Sequence, residues 1–208
     1  MDIQFLSAKD LCIRSAMQLK MFLEKPHLRP QPNQNQWDGV NYQYATAKKI
    51  KNVVGEEMGN YIEVDNFRLY FTNDIITSSC IIEIKHIDPL RKVEEWYLQS
   101  CFMQCAIYYT LSDMVNYAFQ TAKFFVNQGN DMKRFAFDNK HNVRYILMFG
   151  DTNYEIKIHN FTKIKEWIIQ KILSLQSWES AKEFDNKYKR KEYDYLRNFF
   201  TVHQLKHK

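Results

Sequence analysis

The sequence predicts an α/β fold with one central mixed β-sheet flanked by helices. Three observations lead to it. The apolar pattern changes from a helical period of about 3.6 residues to a period of two near residue 60, and returns to the helical period after residue 90. The segment CIIEIKHI (80–87) is rich enough in isoleucine to be buried from both sides, as in a sheet covered by helices. Helical patterns also open and close the chain, which supplies the outer layers.

Composition sets the bounds. The chain has 208 residues, 45 % apolar and 15 % aromatic, enough for one domain with a sizeable core and too much for global disorder. Only 5 Gly and 4 Pro occur, which excludes collagen-like and low-complexity chains. Lys and Arg number 29 against 24 Asp and Glu, a net charge of +5. That balance is compatible with a polyanionic partner without demanding one. No apolar run reaches about 18 residues, and the N-terminus has an early Asp2 in place of a secretory signal, so no membrane association and a cytoplasmic location are expected. Cys12, Cys80, Cys101 and Cys105 are then expected as reduced thiols. Cys101 and Cys105 lie four apart on a predicted helix without a CxxC or histidine partner, which makes them core thiols.

Taken in order, residues 7–24 read as a helix with Ser7 as N-cap and Asp10 three residues on. Residues 26–36, PHLRPQPNQNQ, read as a loop. A second helix is expected over 38–54, closed by Gly55. Residues 61–64 and 67–72 alternate as strands joined at Asp65-Asn66, and 80–87 is the third strand. A helix over 93–111 follows, with Leu98, Cys101, Cys105 and Tyr109 on one stripe, and Ser112-Asp113 as cap of a shorter helix. AKFFV (122–126) either ends that helix or forms a strand, and Phe-Phe-Val favours the strand. Residues 143–149 and 154–158 form a second hairpin, and helices are predicted over 161–175 and 178–200. The last helix carries Lys187, Lys189, Arg190 and Lys191 among aromatic residues. It reads either as an amphipathic helix with solvated lysines or as a basic arm contacting phosphates.

The chemistry centres on Glu83-Ile84-Lys85. Residues two apart on a strand share a face, so a carboxylate and an ammonium emerge side by side from an isoleucine-rich strand. Burying either charge costs several kcal/mol unless it is paired or metal-bound. If the preceding strand pairs back through residues 75–80, Asp74 lies beside Glu83, and a divalent cation would relieve the repulsion between them. A Glu-x-Lys is weak on its own, and Glu155-Ile156-Lys157 repeats it. The repeat has its nearest upstream acid, Asp151, only four residues away in a turn, which leaves no room for a strand-to-strand placement. Gln104 and Tyr108, one helical turn apart, follow Glu83 by 21 residues, and nothing equivalent follows Glu155. Each feature also has an ordinary reading: a turn aspartate, an internal ion pair, two helix-surface residues.

Asp74, Glu83-Ile84-Lys85 and Gln104-Cys105-Ala106-Ile107-Tyr108 together resemble the PD-(D/E)XK nuclease superfamily, in particular its RecB-like and phage exonuclease branch. The resemblance covers roughly residues 36–160 of a single domain spanning 1–208, with a C-terminal helical part over about 161–208. It implies a restriction-endonuclease-like core and a phosphodiester hydrolase acting on DNA in replication, recombination or repair, one that a phage could encode and that would then work in the host cytoplasm. It implies Mg²⁺ or Mn²⁺ held by Asp74, Glu83 and the backbone carbonyl of Ile84. Lys85 would serve the attacking water and the phosphate, and Gln104 and Tyr108 would line the site. Lys187, Lys189, Arg190 and Lys191 are the candidate DNA-binding residues. Gly39-Val40-Asn41-Tyr42-Gln43 has the spacing of the family's Gly-x-x-x-His, with Gln43 in place of the histidine ligand. Gln43 is a weaker ligand, which opens the alternative of a catalytically weak or inert DNA-binding or assembly protein of the same fold. No Cys follows Cys105, so no iron–sulfur cluster is expected, and oligomerisation is compatible with the resemblance.

Overall fold

The structure is a computed structural model that describes residues 3–31, 34–88, 92–119, 124–128, 131–135, 143–188 and 191–206. It is α/β, with an open, mixed seven-stranded sheet flanked by helices. The centre is a meander: β2 (Val53–Val64), β3 (Phe67–Thr77) and β4 (Cys80–Lys85). β2 pairs antiparallel with β3 along its length, and Asp65 makes the turn with a left-handed φ of 53°. The sheet continues from β4 to its parallel neighbour β7 (Arg144–Phe149), then to β8 (Thr152–Ile158) and β9 (Phe200–Leu205) by antiparallel pairing. A separate hairpin joins β5 (Phe124–Gln128) to β6 (Asp131–Phe135).

One irregularity positions the site. β1 (Gln4–Ser7) lies parallel to β3 opposite Phe67–Tyr70, on the edge that β2 leaves open. β4 uses the same edge, but only opposite Ile75 and Ile76. Residues 71–74 of β3 are left between the two. β1 runs toward this gap and β4 runs toward it from the other end, so both strands reach it with their C-terminal ends. The side-chain alternation of β3 also slips here. Phe67, Leu69 and Phe71 enter the large core, yet further along Ile76 belongs to that core and Ile75 to the other.

The sheet has two apolar faces. Ile81, Tyr145, Leu147 and Phe149 face a large core with α4 (Glu95–Phe119), α1 (Ala8–Ile13), α2 (Ala16–Glu24), α5 (Phe161–Ser174) and α6 (Trp178–Tyr188). Ile75, Ile82, Ile84 and Ile146 face a smaller core closed by Ala47, Tyr42 and Ile50 from α3 (Gln34–Ala47) and the segment after it. α4 is buried almost all round from Cys101 to Ser112, which is why its sequence is apolar on every side rather than on one stripe.

Several elements differ from expectation. The helix expected over 7–24 is two helices: Ser7 ends β1 and makes no cap bond, Arg14 is extended, and Ser15 with Gln18 forms the capping box of α2. The helix expected over 38–54 ends at Ala47, and Gly55 lies inside β2, because pairing with β3 outweighs local helical spacing. α4 runs unbroken to Phe119, since Ser112 is buried and accepts a hydrogen bond from Asn73 instead of capping a new helix. Phe124–Gln128 is a strand, as Phe-Phe-Val favours; residues 122 and 123 lie outside the described residues. In place of one helix over 178–200 there are α6, the short α7 (Glu192–Leu196) and β9. The sheet therefore draws strands from outside 36–160 at both ends. Asp185 of α6 caps α2 by accepting the N–H groups of Ala16 and Met17 at 2.8 and 3.0 Å. Among the described residues no helix is long and apolar enough to cross a membrane.

Candidate active site

Continuing the β3–β4 register by one step sets Asp74 opposite Glu83, at the gap. The strands separate here, so the N–H of Ile84 has left the ladder. Asp74 Oδ2 accepts it at 2.7 Å. Within a strand one residue's N–H and C=O face the same edge, so the carbonyl of Ile84 also faces Asp74.

Glu83 is 2 % exposed. Its Oε1 accepts two hydrogen bonds, from Lys85 Nζ at 2.6 Å and from Gln104 Nε2 at 2.8 Å. Its Oε2 is buried with no hydrogen-bond partner. A buried carboxylate oxygen left in this way costs about 1–3 kcal/mol or more, so the arrangement is poised to take a ligand. Around Lys85, burial pulls the ammonium toward the neutral form, but the carboxylates of Glu83 and Asp74 prevail and hold its pKa well above the ordinary lysine value. Lys85 is therefore a cation at neutral pH, suited to orient water or neutralise a phosphate rather than to accept a proton.

α4 brings its own face to this pair. Cys101, Gln104, Cys105 and Tyr108 recur at helical spacing toward the sheet. Tyr108 packs against Phe71, ring centroids 6.2 Å apart. Burial, with the charge of Glu83 behind it, pushes its hydroxyl well above the usual tyrosine value, so it stays protonated. Burial pushes the Cys101 thiol up to about 11 and raises Cys105 and Cys12 further. These thiols stay neutral at physiological pH and serve as packing groups.

The structure thus brings together Asp74, Glu83, Lys85 and Gln104, with Tyr108 one helical turn along. Gln43 lies on α3, next to Tyr42, which stacks on His86 at 4.6 Å and packs against the smaller core. Lys187, in the last turn of α6, donates to Gln170 Oε1 at 3.2 Å and lies over the Tyr188 ring. Lys191 is exposed, and Lys189 and Arg190 lie outside the described residues.

Three contributors escaped the reading of the sequence. Asn73 is fully buried; its Nδ2 donates to Ser112 Oγ and its Oδ1 accepts from Tyr145 OH, which pins β3 beside Asp74 to both α4 and β7. The signal was a polar Asn-Asp inside a strand. Lys171 is buried over Trp167 and donates to the Leu11 carbonyl at 2.9 Å and to Glu192 at 2.7 Å, fastening α1 in place. Lys9, in the first turn of α1, has its pKa lowered by partial burial and by the ammonium of Lys85, and no spacing in the sequence signals that coupling.

The donor set of Asp74, Glu83 and the Ile84 carbonyl is all oxygen, and the orphaned Glu83 Oε2 gives it a vacant lone pair. That suits a hard divalent cation such as Mg²⁺ or Mn²⁺, which keeps several waters of its own. Among the described residues no three His, Cys, Asp or Glu side chains form a ready cluster. No protein-family model matches the chain, and no curated protein is similar to it.

Proposed function

We propose that the chain is a Mg²⁺- or Mn²⁺-dependent deoxyribonuclease, acting on DNA ends, built on a restriction-endonuclease-like core. The observation that carries the reading is the buried Glu83, with one oxygen held by Lys85 and Gln104 and the other unpartnered beside Asp74. Asp74, Glu83 and the Ile84 carbonyl would hold the cation. When bound, it polarises a phosphoryl oxygen and lowers the pKa of a coordinated water. Gln104 fixes the rotamer of Glu83 by hydrogen bonding, so the free oxygen keeps its aim. Lys85 keeps its proton at Nζ and orients the attacking water or neutralises the phosphate. Tyr108 closes the floor of the site with a protonated hydroxyl. The test is degradation of linear and circular DNA with and without Mn²⁺. Loss of linear DNA alone supports an exonuclease, and decay of neither sinks the reading.

DNA affinity is expected to fall with salt, because lysines that neutralise phosphates release counterions. Replacing Lys187, Lys189, Arg190 and Lys191 with Gln should flatten the plot of log affinity against log salt, by about 0.9 for each phosphate no longer neutralised. An unchanged slope would return these residues to a solvated face.

A second reading is a DNA-binding or assembly protein with this fold and little turnover. Gln43 favours it, since an amide stands where the family's pattern has an imidazole, and an amide oxygen is the weaker ligand.

A further inference from the structure

The side-chain alternation of β3 changes sides at one residue. Phe67, Leu69 and Phe71 point into the large core, and Asn73 continues the series: it is fully buried and reaches Ser112 of α4 and Tyr145 of β7. Two residues on, a period of two would put Ile75 in the same core, yet Ile75 lies in the smaller core and Ile76 in the large one. The crossover therefore falls between Asn73 and Ile75, on Asp74. A strand side chain normally stands roughly perpendicular to its sheet. Asp74 departs from that direction, because its Oδ2 accepts the backbone N–H of Ile84 on the next strand at 2.7 Å. A leucine of about the same size would fill an apolar core position at 73 equally well. The amide does what leucine cannot: Nδ2 donates to Ser112 Oγ at 3.1 Å, and Oδ1 accepts from Tyr145 OH at 3.3 Å. Tyr145 keeps the proton it donates, since burial, with the charge of Glu83 behind it, raises its hydroxyl well above the usual tyrosine value. The two partners sit on different elements, so a slip of β3 by one residue breaks both bonds at once.

We infer that Asn73 is a positioning residue for Asp74: its two buried hydrogen bonds fix where β3 crosses over, and the crossover turns the Asp74 carboxylate toward the N–H and carbonyl of Ile84. For the cation, the inference rests on the reading of Asp74 as a ligand. Asn73 touches neither cation nor DNA in that reading and acts through the residue beside it. Glu83 has its own such partner in Gln104 of α4, and Asn73 gives Asp74 the equivalent from the same helix through Ser112. One helix thus sets both carboxylates. A buried amide adds little net stability over a well-packed apolar group, and its contribution here is one register in preference to its neighbours.

Two measurements test this. The first needs neither metal nor DNA. The amide of Ile84 reports the place of Asp74, and its hydrogen exchange is read against the amides of β8, which report the sheet as a whole. Asn73→Leu and Tyr145→Phe should each speed exchange at Ile84 by about tenfold relative to β8, toward the rate in Asp74→Ala, as the loss of one hydrogen bond to a charged acceptor requires. Tyr145→Phe keeps the ring in the core and removes the donor alone, so it serves even if Asn73→Leu does not fold. Added to Asn73→Leu, it should change nothing further at Ile84, since it acts through the missing amide. The second measurement is the rise in melting temperature with Mn²⁺, from which the apparent affinity should fall about tenfold in both variants. Exchange at Ile84 that keeps the wild-type ratio, or that rises only in step with β8, overturns the inference and makes Asn73 an ordinary core residue. Wild-type Mn²⁺ affinity in the variants overturns it as well. A wild type that Mn²⁺ does not stabilise, with exchange at Ile84 still dependent on Asn73, keeps the positioning role and removes the cation reading instead.

Discussion

Glu83-Ile84-Lys85 on β4 and Glu155-Ile156-Lys157 on β8 are the same three residues on two strands of one sheet, set on its opposite faces. On β4 the isoleucine enters the small core, so Glu83 and Lys85 point under α4. On β8 Ile156 enters the large core, so Glu155 and Lys157 point away from α4. A strand alternates with period two, and one step of register decides which face receives the charges. The consequences differ in kind. The Glu83 side chain is 3 % exposed and bonded to Lys85 at 2.6 Å, whereas Lys157 is 56 % exposed and 3.7 Å from Glu155. Glu155 instead takes Arg144 as its near partner, at 2.7 Å, on an accessible sheet face. One tripeptide is a buried constellation with an oxygen to spare; the other is a surface ion network worth about 1 kcal/mol or less.

The largest effect expected from this contrast is on chemistry. Glu83→Gln and Lys85→Ala should each reduce single-turnover DNA cleavage by at least about 100-fold, while Glu155→Gln and Lys157→Ala stay near wild type. The reverse pattern would mean that the wrong strand has been chosen. Stability comes next. In metal-free buffer Lys85→Ala strands a buried carboxylate and should cost about 3–5 kcal/mol in urea unfolding. Lys157→Ala should cost less than about 1 kcal/mol. The double variant Glu83→Gln/Lys85→Met should recover part of the loss, because no uncompensated charge then remains. A double variant no more stable than Lys85→Ala would show that shape, rather than charge, holds the strand.

Cation binding separates the strands further. A ligand that binds only the folded chain adds about 2.7 kcal/mol at 100 times its Kd. Mn²⁺ should therefore raise the melting temperature of the wild type and of Glu155→Gln, and leave Asp74→Asn unmoved. Equal shifts in all three would place the cation elsewhere.

The pH dependence should split the same way. Burial, offset in part by Lys85, raises the Cys101 thiol beneath α4 from 9.0 to about 11. Its folded pKa is raised, so its contribution is complete below pH 9 and is lost as pH rises through 11. Cys101→Ala should flatten this alkaline fall by about 1–2 kcal/mol in denaturation measured across that window. On β8 the Arg144 hydrogen bond, helped by the nearby charges, holds the Glu155 carboxyl below its ordinary 4.5. Its contribution is present above that value and lost as pH falls. Both basic partners, Arg144 and Lys157, are about half exposed, so only a few tenths of a kcal/mol should separate wild type from Glu155→Gln, and only in acid. A larger acid effect than alkaline effect would undo the contrast between the two faces.

Much of this site was legible in the residues. Period-two segments around Asp65-Asn66 define the meander because a polar, turn-forming pair interrupts two alternating runs. An acid and a base two apart in an isoleucine-rich strand announce a buried charge problem wherever the strand is placed. Gln104 and Tyr108 share a helix face by spacing alone. The sequence by itself therefore determined the α/β class, the central strands, the pairing of Asp74 with Glu83 through a short hairpin, and the helix that supplies Gln104. What it did not contain is long-range pairing. Ser7 looks like a helix cap until Gln4–Ser7 finds β3, more than 60 residues away. Phe200–Leu205 looks helical until it completes the sheet beside β8. Lys171 looks like a solvated lysine until the C-terminal helices are folded against α1 and bury it. Local spacing carries only the energies of neighbours along the chain. The orphaned oxygen of Glu83 and the unpaired stretch of β3 beside it arise from where β1 and β4 meet one edge of β3, and only the tertiary structure decides that.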